Sequence, residues 1–209
     1  MNKICLVGDI LVDITLKTKY TPLKMRLGGI IHAARALWAL NVRYDVGFFS
    51  PEYLDCHIVK YLSEIGCSQI IKLGNVTNLP YTILIGEVKE VGDQQYDFLL
   101  KDNPAKIVYD EENLRCLSNY SQIFAISGNY DFSVLNNFIN KDCKLYYDIA
   151  NNIKSFADLK LNRKLNILFL STSSDLFKIT FKTYSDFIDK VSAFADKVVL
   201  KENRGGSRA

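Results

Sequence analysis

The chain has 209 residues, of which 48% are hydrophobic and 23% charged, a composition that excludes a disordered segment and fits one folded domain. Its net charge is only +3, with 26 Lys and Arg scattered among 23 Asp and Glu, which argues against nucleic acid as a partner. The five cysteines stand singly and there are only two histidines, so neither a zinc site nor a disulfide framework is indicated.

The chain opens with a predicted buried strand over 3–8, and an extended segment over 10–16 follows it; both are rich in β-branched residues. Asp9 and Asp13 interrupt this apolar stretch, which is wrong for a signal peptide. No later run reaches the roughly 18 apolar residues that a membrane span requires. We therefore expect a cytoplasmic protein with no membrane partner.

A glycine pair, Gly28-Gly29, then leads into a segment whose apolar residues recur at helical spacing over 30–40. On this predicted helix, Arg35 and Trp38 are interpreted as packing and surface residues. A strand over 44–50, a helix from Pro51 to about Gly66 and a strand over 69–73 follow. This alternation is typical of a parallel sheet flanked by helices.

The pattern changes between Tyr81 and Leu100, where apolar and polar residues alternate and no helix intervenes. Such alternation on both sides of Gly92-Asp93 predicts an antiparallel β-hairpin with its turn at that dipeptide. We expect this hairpin to project from the parallel sheet.

The strand and helix alternation resumes after the hairpin. Strands are predicted over 122–126, 144–149, 166–170 and 197–200, and helices near 111–117, 132–139, 156–159 and 184–195. The pattern predicts a single α/β domain over 1–209, built on a doubly wound and mainly parallel sheet, with a small hairpin at about 81–100. In such sheets ligands bind outside the carboxyl ends of the strands.

Three loops, at 7–13, 27–32 and 202–208, carry the polar residues that could hold a ligand. Glycine pairs at strand-to-helix corners let backbone N–H groups approach an anion or a polyol, although they also serve ordinary turns. Asp13 is more specific, because a carboxylate inside an apolar strand requires a polar partner. The residues alone leave both the ligand role and the turn role open.

These segments resemble the ribokinase-like, or PfkB-type, carbohydrate kinases, which include adenosine kinase and fructokinases. The opening V-G-D-I-L-V-D is similar to the family's first strand and its substrate-binding Asp, here Asp13. The segment G-G-I-I-H-A-A-R-A-L-W-A-L-N resembles the first family signature, with Gly28 and Gly29 kept and His32 in place of the usual Asn. The 81–100 hairpin lies where the family carries its substrate lid.

The resemblance implies transfer of the ATP γ-phosphoryl group to a hydroxyl of a small-molecule sugar or nucleoside, with Mg²⁺ as the metal. It places acceptor binding on Asp13, Gly28, Gly29 and His32, and His32 is either such a contact or a hydrogen-bonded structural residue. The end of the chain resembles the family's T-L-G-x-x-G nucleotide corner. Nucleotide binding is thereby implied for Asp175, Glu202, Gly205 and Gly206.

Two departures from the family matter for activity. Where the family has N-x-x-E, this chain offers either Ser171 and Ser174 or Thr172 and Asp175. The G-A-G-D segment, which supplies the family's anion hole and catalytic Asp, occurs nowhere in the sequence. We therefore assign no catalytic residue and no metal ligand, and expect residues 1–209 to be a ribokinase-like fold that lacks its C-terminal portion and is inactive.

The alternative is a non-catalytic module that binds a polyol, a nucleoside or another protein on a degenerate kinase fold. Reading the gene past residue 209 separates the two, since a downstream G-A-G-D segment restores the enzyme. The missing segment would cover the sheet beside 197–200, so we also expect the chain to form a homo-oligomer or to bind a partner there.

Overall fold

The computed structural model describes residues 3–19, 21–78, 81–86, 96–99, 105–149, 155, 161, 163–172, 174–180, 183–202 and 206–208. The chain divides into two compact units. The N-terminal unit is Leu6–Leu114, and the C-terminal unit is Arg115–Ala209 together with Met1–Cys5. Each unit is described by itself.

The elements of the N-terminal unit follow in chain order. They are β1 (Ile4–Asp9, whose first two residues belong to the other unit), β2 (Val12–Thr15), β3 (Lys24–Leu27), α1 (Ile31–Ala39), β4 (Tyr44–Ser50), a 3-10 turn (Glu52–Leu54), α2 (Asp55–Glu64), β5 (Ile70–Thr77), β6 (Thr82–Ile85), β7 (Tyr96–Phe98), β8 (Lys106–Tyr109) and α3 (Glu111–Arg115, whose last residue belongs to the other unit).

The larger sheet of this unit has the strand order β1-β4-β5-β8. Strands β4 and β5 are parallel, and β8 is antiparallel to β5. Every residue of β4 is buried, as expected of a sheet strand that is covered on both faces. Helix α2 buries Ile58 and Leu62, one turn apart, which gives it a single apolar face.

A second sheet, with the order β3-β2-β6-β7, carries the residues of interest. Strand β2 pairs antiparallel with β3 and parallel with β6. Strands β6 and β7 are antiparallel, with Ile83 opposite Phe98 and Ile85 opposite Tyr96. The two ends of the 81–100 segment therefore pair as its alternation predicts, in a sheet separate from the larger one. The turn at Gly92-Asp93 lies outside the described residues, and the role as a lid stays a prediction.

The C-terminal unit continues with alternating strands and helices. They are a 3-10 turn (Cys116–Asn119), β9 (Gln122–Ile126), α4 (Phe132–Asn136), β10 (Lys144–Ile149), β11 (Leu165–Ser171), α5 (Asp175–Thr180), α6 (Tyr184–Val191), β12 (Ala195–Glu202) and β13 (Gly206–Arg208).

The sheet of the C-terminal unit has the order β13-β12-β11-β10-β9. Strands β9 to β12 are parallel, and β13 is antiparallel to β12 at the edge. Burial alternates along β9 and β10, and their inward residues include Ile123, Leu145 and Tyr147. The expected α/β class with a mainly parallel sheet is thus confirmed.

Several element boundaries differ from the sequence prediction. Strands β3, β8 and β13 are not predicted by the apolar pattern, because they are short edge strands held by pairing. The predicted helix over 184–195 ends at Val191, and Ala195 already begins β12. The predicted helix over 156–159 lies outside the described residues.

The assignment of 1–209 to a single domain stays a prediction. Within the part of the chain that the structure describes, no helix combines the length and the hydropathy needed to cross a bilayer.

Candidate functional site

The corner between β3 and α1 is shaped by two glycines. Gly28 donates its N–H to the Leu11 carbonyl at 2.9 Å, and a Cβ at Gly28 would lie 2.3 Å from both carboxylate oxygens of Asp13. Gly29 has a φ of +66°, and a Cβ there would lie 2.0 Å from the Asp9 carbonyl oxygen. Both positions require glycine: Gly28 leaves room for a carboxylate, and Gly29 allows a left-handed turn.

Asp13 lies at the centre of this site. It is on β2 opposite Arg26 of β3, and it is 5% exposed. Its Oδ2 is 3.2 Å from His32 Nε2 and 3.9 Å from Arg26 Nε. The His32 and Arg26 side chains are about half exposed, at 49% and 47%. A nearly buried carboxylate thus lies beside an imidazole and a guanidinium group whose side chains both reach solvent.

This arrangement brings together all four predicted acceptor residues, Asp13, Gly28, Gly29 and His32, in one corner. His32 is hydrogen-bonded to Asp13, as expected of a structural residue. Its ring is about half exposed, and its role as a substrate contact stays a prediction. Arg26 was not singled out from the sequence. Nothing in the sequence around Arg26 indicates a role in the site. Arg26 is brought to Asp13 by the pairing of β3 with β2.

Behind this corner, the carboxyl group of Asp9 accepts a hydrogen bond from the Tyr81 hydroxyl. Both residues are buried, with exposures of 6% and 2%. They are 72 residues apart in sequence, so no local pattern could have indicated the contact.

Arg35 has a structural role, as the sequence indicates. Its Nε donates to the Tyr61 hydroxyl at 2.6 Å, and a second guanidinium nitrogen donates to the Leu27 carbonyl at 3.2 Å. The guanidinium also lies over the Tyr61 ring, 5.2 Å from its centroid. Arg35 therefore ties α1 to α2 and to the end of β3, while Trp38 is more than half exposed.

The C-terminal unit has an ion pair near the carboxyl ends of its parallel strands. Lys201 Nζ of β12 lies 2.6 Å from Asp148 Oδ1 of β10. Burial raises the pKa of Asp148, while the ammonium of Lys201 acts in the opposite direction. The Lys201 side chain is 43% exposed. Lys201 is a cation near the predicted nucleotide corner that the sequence analysis did not single out.

The predicted nucleotide residues have a different setting from the acceptor residues. Gly206 begins β13, which runs antiparallel to β12, and pairs with Glu202. Gly205 lies outside the described residues, as do the side chains of Asp175 and Glu202. Their role in nucleotide binding stays a prediction.

Ser174, one candidate for the N-x-x-E position, caps a helix. It is fully buried, and its hydroxyl donates to the Ser171 carbonyl at 2.7 Å and accepts from the Phe177 N–H at 3.2 Å. These are the bonds of an N-cap at the start of α5. The Ser174 hydroxyl therefore has a structural role at the start of α5.

The described side chains form no preassembled metal cluster. Among them, no group of three or more His, Cys, Asp or Glu residues is close enough together to hold a metal ion.

Comparison with known proteins identifies the fold. No protein-family model matches the sequence, and no curated protein is significantly similar to it. Among solved structures, ribokinase from Giardia lamblia superposes with a TM-score of 0.67 at 14% identity, covering 100% of this chain and 71% of that one. The tetrameric inhibited form of phosphofructokinase-2 from Escherichia coli gives 0.64 at 15% identity, covering 99% and 76%.

A microbiome-derived acarbose kinase gives a TM-score of 0.64 at 12% identity, covering 99% of this chain and 72% of that one. The sequence identities are low, so these similarities define the architecture. The chain has the ribokinase-like α/β fold.

Proposed function

We propose that this chain forms the acceptor-binding part of an ATP-dependent kinase that phosphorylates a hydroxyl group of a sugar or a nucleoside. The observation that carries the proposal is the Asp13 corner, where a nearly buried carboxylate packs under Gly28 and contacts His32. The shared fold with ribokinase and phosphofructokinase-2 supports the same activity.

Each acceptor residue has a chemical role in this proposal. Asp13 accepts hydrogen bonds from substrate hydroxyls, because an ionised carboxylate offers about four lone-pair directions and neighbouring donors use only part of them. Gly28 and Gly29 let the substrate approach the backbone. His32 and Arg26 present donors at the solvent-facing rim, where they hold the far side of a polyol.

For the phosphoryl donor we propose ATP, with the Mg²⁺ that the family resemblance implies. Lys201 is the described cation best suited to contact its phosphates, and Asp148 holds that ammonium in place. Asp175, Glu202, Gly205 and Gly206 complete the proposed nucleotide site. We also propose that the chain self-associates and that it is cytoplasmic.

A second candidate function is a binding module without catalysis. It is favoured by Ser174, which occupies one of the possible N-x-x-E positions and serves as a helix cap. Such a module would keep the Asp13 corner and its ligand, so binding and turnover must be measured separately.

Calorimetry with D-ribose, D-fructose, fructose 6-phosphate and adenosine tests the acceptor site. We expect at least one of them to bind, and Asp13→Ala to weaken that binding by at least ~1.5 kcal/mol, the usual contribution of a hydrogen bond to a charged group. Asp186→Ala is the control, since Asp186 forms an ion pair with Lys190 on α6.

Binding that is equal in Asp13→Ala and wild type would remove Asp13 from the site. Failure of wild type to bind any of the four compounds would contradict the proposed acceptor class.

A further inference from the structure

We infer that Tyr81 is a positioning residue of the acceptor site, acting through the hydrogen bond from its hydroxyl to Asp9. The identity of the ligand in this inference rests on the proposed function. The effect of Tyr81 on the position of the corner rests on the geometry alone. Tyr81 itself is not placed in contact with the substrate.

Asp9 is the junction on which the corner is built. Its backbone carbonyl accepts from the Ile30 N–H at 3.0 Å, at the start of α1. The same carbonyl lies where a Cβ on Gly29 would be. Its carboxyl group accepts from Tyr81. The end of β1, the start of α1 and the residue before β6 therefore meet at one amino acid.

Tyr81 is tied to the strand of Asp13 as well. Its carbonyl accepts from the Val12 N–H at 3.2 Å, and β6 then runs parallel to β2 with Asp13 opposite Ile83. Tyr81 thus contacts the chain before Asp13 at two points, Asp9 through its hydroxyl and Val12 through its backbone.

Burial makes the hydroxyl bond important. With Tyr81 at 2% and Asp9 at 6% exposure, water has little access to either group. A buried carboxyl group that loses a donor must find another, and this favours conformations in which the chain opens toward solvent. The segments that Asp9 and Tyr81 connect are the start of β6 and the corner at Gly28 and Gly29, and both lie beside Asp13.

The test compares Tyr81→Phe with Asp9→Asn and with the control Tyr44→Phe. Tyr44 is also a buried tyrosine with a hydroxyl bond, to the Ile65 carbonyl at 2.8 Å, but it lies on β4. Asp9→Asn is the conservative variant, since its amide oxygen still accepts from Tyr81. Each protein is measured by calorimetry with the four compounds named above, and by hydrogen exchange without ligand.

We expect Tyr81→Phe to weaken acceptor binding about tenfold, the order expected for one buried hydrogen bond. It should also speed exchange at residues 82–85 and 28–31. Asp9→Asn should retain most of the affinity. Tyr44→Phe should lower the unfolding midpoint while affinity and exchange at those two segments stay at wild-type values.

Unchanged exchange at both segments in Tyr81→Phe overturns the inference, and so does an equal loss of affinity in Tyr44→Phe. If wild type binds none of the four compounds, the proposed function fails, and the exchange result alone then decides whether Tyr81 positions the corner.

Discussion

At the scale of single residues, the need for glycine at position 28 can be tested by acceptor binding alone. A methyl group at this position would lie 2.3 Å from the carboxylate of Asp13. Gly28→Ala must therefore displace the carboxylate, and we expect acceptor affinity to fall by at least about tenfold, as for loss of a charge-assisted hydrogen bond. Isothermal calorimetry measures the change.

Gly66→Ala is the matched control for this substitution. Gly66 has a φ of +74°, and the nearest atom to a new Cβ is 4.0 Å away, so the variant carries backbone strain without a clash. It should lose about 1 kcal/mol of unfolding free energy and keep wild-type affinity. A Gly28→Ala protein that binds as tightly as Gly66→Ala would show that the carboxylate position does not matter.

Asp148 provides a pH-dependent prediction. Its pKa in the folded protein is raised from 3.8 by burial, so the folded state binds this proton more tightly than the unfolded state does. The contribution of this group to stability is therefore full below the ordinary pKa and is lost as the pH rises through the raised one. Asp148→Asn should remove that loss.

Urea unfolding of wild type and Asp148→Asn from about pH 3 to about pH 7 measures the difference. Wild type should lose stability relative to the variant as the pH increases. Lys201→Met should move this loss to higher pH, because the ammonium lowers the pKa of Asp148. A stability difference that is flat with pH would contradict the assignment.

At the scale of elements, the start of α5 depends on Ser174. Its hydroxyl accepts a hydrogen bond from the Phe177 N–H in the first turn, where backbone N–H groups lie too early in a helix to bond a carbonyl four residues before them. Ser174→Ala should lower the free energy of unfolding by about 1 kcal/mol, and acceptor binding should not change. Chemical denaturation with calorimetry on the same samples checks both.

Ser192→Ala serves as the comparison, because Ser192 is exposed and its hydroxyl donates to the Asp189 carbonyl. It should be close to wild type in stability. If Ser174→Ala instead kept its stability and lost ATP affinity, Ser174 would belong to the nucleotide site and its role as a cap would be secondary.

In the smaller sheet of the N-terminal unit, strand pairing shows more than the alternation of apolar and polar residues does. Alternation identified the strands of the 81–100 segment, but it did not show that one of them, β6, pairs with β2, which carries Asp13. Strand β6 is thereby hydrogen-bonded directly beside the strand of Asp13.

At the scale of the whole molecule, residues 1–209 are expected to bind acceptor without turning over ATP. The sequence contains no G-A-G-D segment, to which the family resemblance assigns the anion hole and the catalytic Asp. Removal of a single anion-hole donor already costs on the order of 10² to 10³-fold in kcat. A coupled assay should detect no sugar-dependent ADP release, while calorimetry on the same preparation confirms that the acceptor site is folded. Substrate-dependent turnover would place the base within these residues, with Asp175 and Asp148 the first to replace.

The α/β class and the order of most strands and helices follow from the sequence, which also singles out Asp13, Gly28 and Gly29 as candidate ligand residues. These depend on short-range signals: the helical period after Gly28-Gly29, the alternation in 81–100, and a carboxylate at Asp13 inside an apolar strand. Each signal can be read locally because burial imposes a period on neighbouring residues.

Which distant residues meet depends on the packing of the folded chain. Tyr81 bonds Asp9, Arg26 lies opposite Asp13, and Lys201 pairs with Asp148 across 53 residues of sequence. The edge strands β3, β8 and β13 exist because a neighbouring strand supplies hydrogen-bond partners. Pairing of this kind depends on which backbone groups lie adjacent after folding, and residues far apart in sequence leave no local trace of that adjacency.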